Sequence, residues 1–126
     1  MGNISSINKI NYEFVKNAIN SNEYIIINTL DNNNQECLIK NTLSIINETN
    51  IINECIKTNK ERKIIIYGIN SQDNKVIEKY NQLYKLGFKN LYVYIGGLFE
   101  WLLLQDIYGD DEFPTTCKII DILQYS

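Results

Sequence analysis

Histidine is absent from all 126 residues. Its absence removes Ser–His and Cys–His activation of a nucleophile and the commonest metal ligand. Cysteine is scarce. Cys37, Cys55 and Cys117 stand far apart with no C-x-x-C, so neither a zinc site nor a dithiol redox motif is signalled. An odd number of widely spaced cysteines reads as reduced, structural thiols and, with them, as a cytoplasmic (intracellular) protein. Positive charge is not in excess: 12 Lys and Arg face 15 Asp and Glu, for a net charge of -3 and a pI near 4.9. The lysines form no stripe. Nucleic acid and an anionic membrane surface are therefore excluded as partners. No apolar run approaches the roughly 20 residues of a membrane helix. The opening "MGNISSINKI" lacks the charged and apolar regions of a secretory signal. It matches the myristoylation pattern Met-Gly-x-x-x-Ser through Gly2 and Ser6, but so short a pattern often arises by chance. Nothing calls for a cofactor or a metal.

What is present is ordinary for one globular domain spanning residues 1–126: 44% hydrophobic and 21% charged residues. Asn and Ile make up a third of the chain, a drift toward AT-rich codons. Residues 4–10 read as a first short strand. Asn11 caps a helix with Tyr12, Val15 and Ile19 on one stripe. "EYIIIN" is a buried strand ending at Asn28, and "CLI" is a short strand candidate. "TLSIINETNIINECIK" is predicted as one or two helices capped by Thr42. "KIIIY" (63–67) is the clearest strand. "DNKVIEKYNQLYKLG" is the clearest helix, ended by Gly87. "NLYVYI" is another strand, followed by Gly96-Gly97 and a helix in "LFEWLLLQDIY". "TTCKIIDILQ" is predicted as a last helix behind a Thr116 cap. Its Ile119, Ile120, Ile122 and Leu123 would cover the Leu98–Tyr108 helix, which is apolar nearly all round, within the chain or from a second subunit; a homodimer through 98–123 is the candidate assembly.

Apolar strands alternating with helices predict a parallel sheet covered on both faces. Ligands in such sheets sit beyond the carboxyl ends of the strands, here at the loops following Asn28, Gly68 and Gly96.

The stretch "KIIIYGINSQDNKVIEKYNQLYKLGFKNLYVYIGGLFEW" resembles the rhodanese-like domain, of the rhodanese and Cys-dependent phosphatase superfamily. Leu83, Leu86-Gly87-Phe88, Asn90, Tyr92-Val93, Gly96-Gly97 and Trp101 carry the likeness in order and spacing. It is thinner upstream, where "EYIIINTL" and "ECLIKNTL" stand for Asp-Val-Arg and Gly-His-Ile-x-x-Ala. The resemblance implies a three-layer α/β/α fold with a central, mainly parallel five-stranded sheet. It also implies an active loop at Gly68, Ile69, Asn70, Ser71, Gln72 and Asp73, directly after the strand.

The departures fall on the chemistry. The family's nucleophilic Cys position is Gly68, its loop Gly position Ser71, and its loop Arg position Asp73. A rhodanese loop aims backbone N–H groups at a sulfur near a helix N-terminus, and an Arg at the rim attracts the anionic substrate. Asp73 reverses that sign, and its carboxylate can itself take the helix donors. The remaining binding candidates are Asn28, Asn74, Gly96 and Gly97. Plainer roles stand beside these: Gly68 as a positive-φ turn residue, Asp73 and Asn74 as helix caps, Ser71 as a surface serine without a base, and Cys55, Cys117 and Trp101 as core. The favoured reading is a pseudoenzyme, a non-catalytic module binding an unknown protein or small molecule. The alternative is a sulfurtransferase or phosphatase-like enzyme using a surrogate such as Cys37. A carboxylate hydrolase built on Asp73 and Asp106 is a weaker third.

Overall fold

The structure, a computed structural model, describes residues 7–118 and 121–126. The Gly2–Ser6 pattern, the start of the 4–10 strand, and Ile119 and Ile120 lie outside them.

The chain runs β1 (Lys9–Ile10), α1 (Tyr12–Ile19), β2 (Tyr24–Asn28), α2 (Ile45–Thr58), β3 (Lys63–Tyr67), α3 (Lys75–Lys85), β4 (Leu91–Tyr94) and α4 (Gly97–Tyr108), with short 3-10 turns at Asn32–Asn34 and Ile122–Tyr125. Local chemistry sets the boundaries. Asn11 starts α1 by accepting the Phe14 N–H at 3.0 Å. Ser44, not Thr42, caps α2 through the Asn47 N–H at 3.4 Å. The Thr42 hydroxyl is engaged instead with the Tyr67 hydroxyl, 2.8 Å away. α3 stops where the Gly87 and Phe88 N–H groups turn back to the Tyr84 and Leu83 carbonyls at 3.0 and 3.2 Å.

The sheet is wholly parallel, in the order β1-β4-β3-β2. Successive strand residues point to opposite faces, so each isoleucine run feeds two cores. Ile26, Ile65, Tyr67 and Tyr94 pack with Val15 and Ala18 of α1 and Leu98, Trp101 and Leu102 of α4. Ile25, Ile27, Ile64, Ile66 and Val93 pack with Ile52 of α2 and Tyr80 and Leu83 of α3. Each fully buried Val, Leu or Ile among them contributes about 1.5–3 kcal/mol.

Among the described residues the sheet has four strands, not the expected five. The Cys37–Ile39 candidate forms no strand, and the segment meets β2 only through an isolated bridge from Thr42 to Ile26. Asn41, at φ 70°, turns the chain between them and breaks the extended path a strand needs.

The C-terminal segment also departs from its predicted helix. Ile39 bridges Thr115 in antiparallel fashion. The Thr116 hydroxyl accepts from the Leu38 N–H at 3.0 Å and donates to the Glu36 carbonyl at 3.1 Å, so it pairs two segments and caps nothing. Ile122 and Tyr125 then pack with Leu98, Trp101 and Leu102, so one side of α4 is covered from within the same chain, while Leu103, Ile107 and Tyr108 remain exposed.

This pairing corrects the cysteine reading. It brings Cys37 and Cys117 to a Cα separation of 5.1 Å, within disulfide range, and the two are bonded across 80 residues. Cys55 remains a buried free thiol. The bridge removes the argument from reduced thiols for a cytoplasmic location. Cys117 is half-buried in a bridge, not core filler. No helix among the described residues is long and apolar enough to cross a membrane.

Candidate functional site

β2 and β3 end side by side at Asn28 and Tyr67, and the chain leaving β3 forms the loop Gly68–Asn74 before α3. Two neighbouring backbones hold this loop. The Leu98 and Phe99 N–H groups at the start of α4 donate to the Gly68 and Ile69 carbonyls at 2.9 and 2.8 Å. Gly97 permits that approach. It has φ 70°, and a Cβ there would lie 2.8 Å from the Gly68 carbonyl oxygen and 2.9 Å from the Asn70 backbone.

Asp73 is the centre of the loop. One carboxylate oxygen, Oδ2, accepts from the Thr29 hydroxyl at 2.8 Å and the Ile69 N–H at 3.2 Å. The other, Oδ1, accepts from the Lys75 N–H at 3.0 Å, in the first turn of α3. Asn74 makes no side-chain capping bond. Asn70 finishes the turn by accepting the Gln72 N–H at 2.9 Å. Ser71 and Gln72 are exposed.

Gly68 is not a positive-φ residue; in the described chain only Gly87, Gly97, Gly109 and Asn41 have that conformation. Its requirement is space. A Cβ at residue 68 would overlap the Asp73 Oδ2 atom, and would lie 2.8 Å from the Asp73 Cβ and 2.7 Å from Val76 Cγ2. The Asp73 carboxylate therefore occupies the volume a side chain at residue 68 would enter.

Asn28 belongs to the scaffold beneath the site. Its Oδ1 accepts from the Leu30 N–H (3.0 Å) and the Gln35 side chain (2.8 Å), and its Nδ2 donates to the Leu43 carbonyl and back to Gln35, both at 3.3 Å. With both polar atoms engaged and the residue only 2% exposed, Asn28 shapes the β2–α2 loop and has little left for a ligand. Asn28→Ala is expected to cost about 1–3 kcal/mol, from groups left unpaired, read as a lower urea midpoint. On the other side Tyr67, fully buried, accepts from the Ile39 N–H at 3.1 Å, and burial pushes its phenol well above the ordinary tyrosine range. Tyr94 donates to Glu100 Oε1 at 2.6 Å beside Gly96, and is raised likewise, by burial first and then by that carboxylate.

Two clefts of about 530 and 540 Å³ adjoin here and share Thr29, Leu30, Lys75 and Glu78. The first runs between α2 and α3 past the Lys79–Glu48 ion pair, 2.7 Å long and largely buried at Glu48. The second lies over the loop, with Asp31, Asp73 and Glu78 against Lys75 alone. Lys75 is itself paired to Asp31 at 2.6 Å, a hydrogen bond that raises its pKa. The loop cleft thus presents carboxylates where an anion would approach. Cys37 lies in the bridge and Asp106 borders a different cleft, with Gln105, Asp110 and Lys118. Among the described residues no cluster of His, Cys, Asp or Glu could hold a metal ion. Thr29, Gln35 and Tyr125 were not legible as site residues, because their partners lie 44, 7 and 55 positions away along the chain.

A parallel α/β/α domain with a loop between a central strand and a helix N-terminus, braced by a Gly-Gly turn, defines the rhodanese class of scaffold. The rhodanese-like domain family matches residues 11–104, and the chain belongs to that family. No curated protein matches it. Among solved structures it is similar to the Alr3790 protein from Anabaena sp. (22% identity, TM-score 0.62, over 90% of this chain and 83% of that one). It is also similar to Ygr203w, described as a yeast protein tyrosine phosphatase of the rhodanese family (15% identity, TM-score 0.55, over 93% and 96%). At these identities the likeness is one of fold.

Proposed function

We propose that this chain is a non-catalytic rhodanese-like module with a binding or regulatory role. The observation that carries the reading is the Asp73 carboxylate. It fills the space beside Gly68 and holds the N–H groups of Ile69 and Lys75, in a loop whose backbone N–H groups a rhodanese aims at its nucleophilic sulfur. Where the family resemblance sets the nucleophilic Cys, this loop has Gly68, and where it sets an Arg it has Asp73. Charge works in the same direction, since the cleft over the loop has three carboxylates to one lysine. The surrogate reading is weakened because Cys37 is bonded to Cys117 and cannot supply a thiolate in that state. The adjoining clefts are the seat for a protein or small-molecule partner.

Two assays test this together: sulfur transfer from thiosulfate to cyanide, and hydrolysis of p-nitrophenyl phosphate, the latter prompted by the phosphatase named among the similar structures. Neither should exceed the solvent background. Turnover that disappears in Cys37→Ser would overturn the reading and favour the sulfurtransferase or phosphatase-like enzyme.

A further inference from the structure

We propose that the C-terminal segment is a redox-tethered strap that holds the Gly68–Asp73 loop in its closed shape. Three independent contacts carry the idea. The Cys37–Cys117 bridge ties the start of the segment to the β2–α2 loop. Ile122 and Tyr125 anchor its far end in the apolar cluster on α4, with Tyr125 only 5% exposed. At that end the Tyr125 carbonyl accepts from the Asn70 side-chain Nδ2 at 2.9 Å, a contact between the tail and the loop itself. Asn70 is the residue through which the tail acts. Its Oδ1 accepts the Gln72 N–H at 2.9 Å, and its backbone carbonyl accepts the Asp73 N–H at 3.3 Å. One amide group thus joins the strap to the turn that presents Asp73. The proposal concerns regulation of the site described above. It rests on the reading of that loop as a binding surface, and its test uses a readout that the two activity assays do not touch.

The switching step needs a dithiol reductant. A thiolate of the dithiol attacks one bridge sulfur, the Cys37–Cys117 bond breaks, and a mixed disulfide forms. The second thiol of the reductant displaces the mixed disulfide. Cys37 and Cys117 end as two thiols, having taken two electrons and two protons, and the reductant ends as its own disulfide. Without the tether the segment keeps its backbone pairing at Pro114–Thr116, and beyond Cys117 the described residues are held to the rest of the fold by apolar contacts and the one Asn70–Tyr125 hydrogen bond. Local opening of the short 3-10 turn becomes easier, and Asn70 loses its fixed partner.

Hydrogen exchange by mass spectrometry on the full chain, oxidised and then reduced with dithiothreitol, tests this. Reduction should speed exchange at least tenfold in peptides covering 121–126 and 68–75, and leave the peptide covering Lys63–Tyr67 within about twofold. Unchanged exchange in the tail and loop overturns the strap. Equal acceleration in β3 also overturns it, because the bridge would then hold the whole fold. Asn70→Asp in the oxidised protein supplies a second arm. It keeps the acceptor for the Gln72 N–H, removes the donor to Tyr125, and leaves the bridge intact. The tail peptide should exchange faster in this variant, and a tail as protected as in the parent sinks the proposal.

Discussion

Raising the pH from 10 to 11 is expected to remove about 2 kcal/mol of folding stability, about 1 kcal/mol for each of two tyrosines whose unfolded forms titrate across that interval. Tyr67 and Tyr94 are 0% and 1% exposed, and burial raises both phenols above their ordinary value of 10.0. The sign follows from linkage. A group whose folded pKa lies above its unfolded one contributes its full stability below the unfolded value, and loses it as pH climbs toward the folded value. The unfolded chain releases these protons first, so alkali favours it. Tyr67 has the larger structural consequence, since its hydroxyl holds the Ile39 N–H and the Thr42 hydroxyl and so pins the β2–α2 loop to β3. Urea unfolding at half-unit steps between pH 9 and pH 11.5, with tyrosinate absorbance followed in parallel, measures the effect. Tyr67→Phe and Tyr94→Phe will each be less stable at neutral pH, but each should flatten the alkaline slope by about one proton. A slope unchanged in both variants would show that other groups drive the loss.

A double-mutant cycle at Gly68 and Asp73 has an expected effect of comparable size. Gly68→Ala places a methyl group in the volume of the Asp73 carboxylate and against Val76 Cγ2, so overpacking should cost about 1–3 kcal/mol. Asp73→Ala removes a carboxylate that accepts from Thr29, Ile69 and Lys75, with a loss of about 1.5–3 kcal/mol. The two losses should not add. Once the carboxylate is gone, the alanine at residue 68 is relieved of its overlap with Oδ2 and keeps only the contacts with Val76 Cγ2 and the Cβ of residue 73, so the double variant should be more stable than the sum by about 0.5–3 kcal/mol. Additive losses in urea melts would mean that the loop relaxes around the methyl group without meeting Asp73. The cycle also bears on catalysis by design: Gly68→Cys alone should leave a strained and poorly activated thiol, whereas Gly68→Cys with Asp73→Arg clears the carboxylate from the cradle.

The sequence by itself determined the scaffold. The isoleucine runs at 25–27 and 64–66, the helical stripe Val76–Tyr80–Leu83, the Gly87 stop and the Gly96-Gly97 turn each have a local physical meaning. Together they specify parallel strands covered on two faces. They also placed the loop, because the chemistry of strand–loop–helix is local. Tertiary structure decided what local signals do not encode. Thr42 looked like a helix cap until its hydroxyl was seen against Tyr67, 25 residues away. Gly68 looked like a turn residue, and its real constraint is the volume taken by Asp73. Cys37 and Cys117 looked like separate thiols, because nothing in a spacing of 80 residues says that the Leu38–Lys40 and Pro114–Thr116 backbones pair. Among the described residues, the left-handed Asn41 interrupts the candidate fifth strand, and Thr116 pairs across 78 residues where a helix cap is expected. For Thr42, the two cysteines and the last helix the deciding partner is distant in sequence, and for Gly68 it is a side chain of the same loop that closes over it only once the loop has folded. Propensity and periodicity act over a few residues, whereas volume, long-range pairing and cross-linking exist only once the chain has folded.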